Sequence, residues 1–225
     1  MTRFALALAA ALSAGFLAQA QDALTVQSVE GKAPEGVAEP LADLLSKTSY
    51  AIVEDGKEVL HVWLRDEIPS NGAEGEFVGS ETIEDGTFVG VYEVKEESFT
   101  DFRGQDLKPG VYTLRMSSHP QDGNHMGIAA TPQFLCLALA EEDKSPEPVD
   151  REELMEMSKR AARTGHPAAL YAAPVFEAPK GPGATVHEND ANHVLLDVST
   201  KAALAGGKTA VLALSIVFIG ESEGG

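Results

Sequence analysis

Between Ser118 and Gly127 the chain packs His119, Asp122, Asn124 and His125 into seven residues. Two imidazoles and a carboxylate in the order H-x2-D-x2-H can be brought to one side of a loop. His119, Asp122 and His125 are therefore candidate ligands for Zn²⁺ or Cu²⁺, with Asn124 or a water completing the shell. The same stretch holds Pro120 and Gly123, and Asp122 and Asn124 are themselves turn formers. An Asx-type hydrogen bond accounts for Asp122 without any metal, and His125 would then tie the loop by donating to a backbone carbonyl. The turn is the commoner use of these residue types, and metal binding is the sharper alternative.

Three other places carry side chains with chemical potential. His61 and Trp63 fall on one face of an apolar strand, where they are either a ligand-stacking pair or a buried Trp beside a hydrogen-bonded His. His187 and His193 flank Glu188-Asn189-Asp190-Ala191-Asn192, which reads as a hairpin loop. They would complete a site with the first loop only if the fold brings the two loops together. Cys136 is the only cysteine, inside the apolar run Phe134–Ala140. It has no disulfide partner, and its local sequence offers neither a cation nor a helix N-terminus to make it a nucleophile. The chain lacks G-x-S-x-G, H-E-x-x-H, C-x-x-C, a Gly-rich phosphate loop and an EF-hand run. Its acids at Glu93, Glu96 and Glu97 and at Glu141–Asp143 read as solvated turns and strand ends, unlike an isolated pair in an apolar cleft. A catalytic role is thus not indicated, and no cofactor is expected unless the His119 loop binds Zn or Cu.

The elements that must position these residues are mostly strands. Ser49–Glu54 and Glu58–Asp66 are β-rich and joined through Asp55-Gly56, the signal for a tight hairpin. In the second run Leu60, Val62 and Leu64 oppose Val59, His61 and Trp63, with both faces largely apolar. Glu76–Gly79 is a marginal strand. Glu84-Asp85-Gly86 turns the chain into Thr87–Val94, where Phe88, Tyr92 and Val94 alternate against Val89 and Val91. Lys108-Pro109-Gly110 opens Val111–Ser117, with Tyr112, Leu114 and Met116 on one face and Val111, Thr113 and Arg115 on the other. Phe134–Leu139, Val194–Val198 and Thr209–Ile219 follow. A helix is expected after Asp150, capped by that residue with Glu153 three positions on, lined inward by Leu154, Met157, Ser158 and Ala161, and stopped at Gly165. A shorter helical piece spans Leu41–Ser46. Many short strands with one or two helical insertions predict a mainly β protein, a single antiparallel β-sandwich.

The N-terminus frames where this domain works. Arg3, the mild apolar run Phe4–Leu17 and Ala18-Gln19-Ala20 together read as a secretory signal peptide over residues 1–20, too short and Ala-rich for a stable membrane span. Residues 21–225 then form one domain, periplasmic or secreted. The chain has 35 acidic and 17 basic residues and a formal charge of −18, or −19 once Arg3 is removed. So acidic a chain, without a basic cluster, argues against nucleic acid as partner. After signal cleavage no membrane span is expected, and the partner is a small molecule or an envelope protein.

Several segments recur together. Gly90-Val91, Asp101-Phe102-Arg103-Gly104-Gln105, Lys108 to Arg115 and Asp122-Gly123-Asn124-His125-Met126-Gly127 resemble a block found in uncharacterised secreted bacterial proteins. Val62-Trp63-Leu64-Arg65 and, more weakly, His166-Pro167 to His193 extend the likeness over most of the mature chain. Such proteins would carry Arg-Asp where this chain has Pro132-Gln133. The resemblance implies a secreted β-sandwich and supplies no activity. A strand opening Pro-Gly-Val-Tyr-Thr-Leu is also similar, at the level of fold only, to transthyretin-like and carbohydrate-binding sandwiches. The expectation is an exported binding or accessory module of the cell envelope, with a metal-dependent enzyme or metal carrier at the His119 loop as the alternative. Intact-mass measurement of the exported protein is expected to place its first residue at or next to Gln21. A mature species that retains Met1–Ala20 would contradict export.

Overall fold

The computed structural model describes residues 24–120, 129–177 and 183–222. Eleven strands and two α-helices occur in the order β1 (Thr25–Glu30), α1 (Glu39–Ala42), β2 (Thr48–Glu54), β3 (Lys57–Leu64), β4 (Glu67–Pro69), β5 (Phe88–Val94), β6 (Gly110–Ser118), β7 (Gln133–Leu139), α2 (Arg151–Ala162), β8 (Ala169–Ala173), β9 (Ala184–Glu188), β10 (Val194–Leu204) and β11 (Lys208–Ile219). One sheet runs β1-β2-β3-β5-β6-β7-β8-β11-β10 and curls until it is nearly closed into a barrel. Its far edge is shared: β9 pairs with Val194–Val198 of β10, and β4 pairs in parallel with Lys201–Ala203. The expected mainly β, antiparallel architecture with two helices is present, and the two facing walls are continuous as one sheet. Among the described residues no helix is long and apolar enough to cross a membrane.

Period-two alternation explains most of the packing. Tyr112, Leu114 and Met116 point into the barrel with Leu60, Val62, Leu135, Leu137 and Ile216, and all are buried. The β2–β3 hairpin turns at Asp55 and Gly56, with φ of 51° and 76°, the double positive φ that an Asp-Gly turn supplies. Two irregularities break the alternation. The β2–β3 register skips Val59 and the β5–β6 register skips Val89. Each extra residue flips what precedes it. Val59 and Val89 therefore join the inner core, while Phe88 faces outward with Trp63 and Val91. The strict alternation expected for both strands is corrected on this point.

The outer faces are covered as well. Leu41 of α1 packs on Trp63, Phe88 and Val91. Helix α2 lies over β7, burying Leu154 against Phe134, Cys136 and Val149. Asp150 caps it as expected, its Oδ1 accepting from Glu153 N–H at 3.0 Å. The helix ends earlier than Gly165: Arg163 takes the left-handed conformation, φ 58°, and closes the last turn onto the Arg160 carbonyl. Ser158, in the C-terminal half of the helix, fastens it to the residue before β8 by donating from Oγ to the Ala168 carbonyl at 2.7 Å.

Arg115 organises the segment between β7 and α2. Its guanidinium, 0% exposed, forms a fork to Asp143 through Nε and NH2, each 2.7 Å long. NH1 donates to the carbonyls of Gly86 at 2.6 Å and Glu147 at 3.1 Å, and NH2 also reaches the Ser145 carbonyl. Thr113 Oγ1 donates to the second lone pair of Asp143 Oδ2 at 2.6 Å. Gly86 is obligatory here, since a Cβ at that position, φ 83°, would lie 1.9 Å from the Val149 carbonyl oxygen. Five donors meet acceptors, so the buried charge is matched. Removing one partner strands the other. Asp143→Ala is expected to destabilise the protein by about 3–5 kcal/mol in urea unfolding, and a loss below about 1 kcal/mol would mean the pair is not buried as described.

Candidate functional site

His61 and Trp63 stack on each other, ring centroids 3.8 Å apart and planes at 16°. Both are buried, and Trp63 packs further into the cluster of Leu41, Phe88 and Val91. His61 is held at both nitrogens, Nε2 by Ser49 Oγ at 2.8 Å and Nδ1 by Glu58 Oε1 at 3.0 Å. The stacking partner of Trp63 is thus internal. Glu58, His61 and Glu93 offer ligand atoms within 4.8 Å of one another, the one such trio among the described residues. Lys95 offsets part of its charge, its ammonium 2.7 Å from Glu93 and 3.6 Å from Glu58.

Of the His119, Asp122 and His125 trio, Asp122 and His125 lie outside the described residues. His119 sits at the end of β6, its Nδ1 2.9 Å from the Pro120 carbonyl and its ring edge-on to Phe134, centroids 5.5 Å apart. His187 and His193 do bracket a β9–β10 hairpin. His187 Nδ1 is 3.2 Å from Asp197 Oδ2. His193 stands edge-on to Phe102 at 5.4 Å and reaches the Glu221 carbonyl at 3.2 Å. Phe102 in turn meets Phe134, centroids 6.0 Å apart, so His119 and His193 border one aromatic cluster. They do not converge on a shared metal-ligand position with His187 among the described residues.

That aromatic cluster forms the wall of a cavity of about 310 Å³ on the outer face of β7, beneath the first turns of α2. Its apolar lining is Phe102, Phe134 and Met155, with Cys136 at the floor. Phe102 is placed by the turn Asp101–Gln105. Asp101, 0% exposed, accepts from Arg103 N–H at 3.0 Å, Gln105 N–H at 2.9 Å, Gln105 Nε2 at 2.8 Å and Ala169 N–H at 3.1 Å. Gln105 also donates to the Pro167 carbonyl at 3.1 Å. These bonds lash the turn to the start of β8, drive Phe102 onto Tyr171 at 5.1 Å, and leave Arg103 at the mouth.

The chemistry of the cavity is basic above and apolar below. Arg103, Arg151, His119 and His166 line it, and among the described residues no carboxylate does. Arg151 is oriented by the Ser118 carbonyl at 2.7 Å, with Asp85 3.6 Å away. Neither the Arg103 guanidinium nor the His166 imidazole has a hydrogen bond or ion pair among the described residues. Burial pushes the Cys136 thiol up to about 11, outweighing hydrogen bonds from Ser117 and Ser158 and the nearby Arg151, all of which act downward. At neutral pH it is a thiol, a small apolar surface and not a nucleophile.

A second recess, about 440 Å³, lies at the barrel seam and is rich in hydroxyls. Thr200 Oγ1 already donates to the Arg65 and Asp66 carbonyls, both at 2.9 Å, and Ser46 Oγ accepts from Thr48 N–H at 3.1 Å. Lys201 and Asp66 pair across it at 3.0 Å.

Comparison of the chain with protein-family models, curated proteins and solved structures returns no match. The cavity under α2 was not legible in the sequence. Its basic residues lie at 103, 119, 151 and 166, a scatter that no spacing rule detects. The one available signal was the Asp101–Gln105 block, whose buried Asp now has a structural role.

Proposed function

We propose that the protein is an exported binding module of the cell envelope whose ligand seat is the cavity between β7, the start of α2 and the Asp101–Gln105 turn. The observation that carries this is the pre-formed concave wall of Phe102, Phe134 and Met155, held from both sides by buried polar networks. Asp101 fixes one edge with four accepted hydrogen bonds, and the Arg115–Asp143 pair fixes the segment that leads into α2. Small-molecule sites have this form, an apolar cleft with a few convergent polar groups on a rigid frame. A volume of about 310 Å³ suits a small ligand of up to about three rings, at the small end of the ~300–1,000 Å³ range. Export is supported by the signal-like sequence of residues 1–20. The metal alternative rests on His119, Asp122 and His125, of which Asp122 and His125 lie outside the described residues.

N-phenyl-1-naphthylamine, a neutral fluorescent amine, tests the seat. It is expected to bind the mature protein at one saturable site. Met155→Trp, at a half-buried position of the cavity wall, should fill the space and abolish dye binding with the circular dichroism unchanged. Absence of saturable binding, or binding that survives Met155→Trp, would overturn the assignment.

A further inference from the structure

The distribution of charge around this cavity is the opposite of the distribution in the chain. Acids outnumber bases 35 to 17, yet among the described residues the lining holds two arginines, two histidines and no carboxylate. Most basic side chains elsewhere are matched. Lys57 meets Glu96 at 2.5 Å, Lys95 meets Glu93 at 2.7 Å, Arg160 meets Glu142 at 2.6 Å, Lys201 meets Asp66 at 3.0 Å and Lys208 meets Glu74 at 2.6 Å. Arg103, like Lys32, Lys47, Lys108, Lys144 and Arg163, has no ion pair among the described residues, and of these it alone lines the cavity. Its backbone N–H is fixed by Asp101 at 3.0 Å, so the position is rigid while its guanidinium has no protein partner among the described residues.

From this we infer that the cavity recognises an organic anion of small size, a carboxylate or sulfonate carried on an aromatic or branched apolar body. The inference rests on the binding-module assignment above and specifies its ligand class. The apolar body would sit against Phe102, Phe134 and Met155, and the acidic group would face the mouth. There Arg103 supplies a planar fork of N–H donors that fits two oxygens of one acid group. Arg151 is already turned by the Ser118 carbonyl and shares its charge with Asp85, 3.6 Å away, so it adds field more than a bond. The net negative charge of the whole chain does not prevent this. At physiological salt it is screened beyond about 8 Å, and the local basic side chains decide the potential inside the cleft.

A matched dye pair separates the two claims. 8-Anilinonaphthalene-1-sulfonate has the rings of N-phenyl-1-naphthylamine plus one sulfonate. In low salt the sulfonate dye is expected to bind the mature protein about fivefold or more tightly than the neutral dye, with the preference shrinking as salt is raised. Arg103→Gln should remove most of that preference and leave the neutral dye unchanged, whereas Lys108→Gln, outside the cavity, should alter neither. Equal affinity for both dyes, or an equal effect of Arg103→Gln and Lys108→Gln on the sulfonate dye, would overturn the anion assignment while leaving the seat intact. Failure of both dyes to bind at a saturable site would overturn the seat itself.

Discussion

A guanidinium with no exposed surface is the constraint on which this architecture turns. Taking the Arg115 charge out of water carries a penalty of several kcal/mol, which only a complete set of partners offsets. Asp143 provides the counter-charge, and three backbone carbonyls from Gly86, Ser145 and Glu147 take the remaining N–H groups. Those carbonyls belong to two separate loops. The segment after β7 cannot drift without stranding the charge, so the chain arrives at Asp150 in a fixed position and α2 starts where it must to cover β7. Gly86 makes the arrangement possible because no side chain fits between it and Val149.

Asp101 plays the matching part on the other side of the cavity. It too is buried and saturated, but its partners are N–H groups of its own turn and of β8. The two networks share a logic. Each uses an ionic side chain to hold irregular backbone against the outer face of a strand, where sheet hydrogen bonds cannot reach. Between them, beside α2 on the outer face of β7, the aromatic side chains leave a recess. Inside the barrel the situation is the reverse: apolar residues fill the space and nothing but shape is specified there. Burial of Tyr92 in that core raises its hydroxyl well above the usual tyrosine range.

The strands were legible where period two and turn chemistry agree. The Asp55-Gly56 hairpin, β6 after Lys108-Pro109-Gly110, the apolar β7 and β11, and the Asp150 cap of α2 all follow from local rules. Tyr112 even shows why its turn is worded as it is, since its hydroxyl donates to the Lys108 carbonyl at 2.6 Å. Other elements hid for physical reasons. β8 is Ala-Leu-Tyr-Ala-Ala, a helix-favouring composition overridden by its pairing with β7 and β11. β1 has no apolar face to announce it, and β4 is three residues long and contains a proline. The bulges at Val59 and Val89 leave no mark in a hydrophobicity pattern that is apolar on both faces. Arg115 looked like one more outward residue of a strand, because its acid stands 28 positions away. The site was hidden most of all. Its aromatic wall and basic rim come from five separate parts of the chain, and only the curled sheet assembles them.

The functional claim reduces to one cavity and one charge pattern, and diffraction can address both at once. Crystals of the mature protein soaked in 4-iodobenzoate would locate the ring by the anomalous signal of iodine and the carboxylate by its density. The account predicts a dominant iodine peak among Phe102, Phe134 and Met155, with the carboxylate turned outward and within hydrogen-bonding distance of Arg103. A dominant peak elsewhere, or a ring in the cavity with its carboxylate turned away from Arg103, would contradict it.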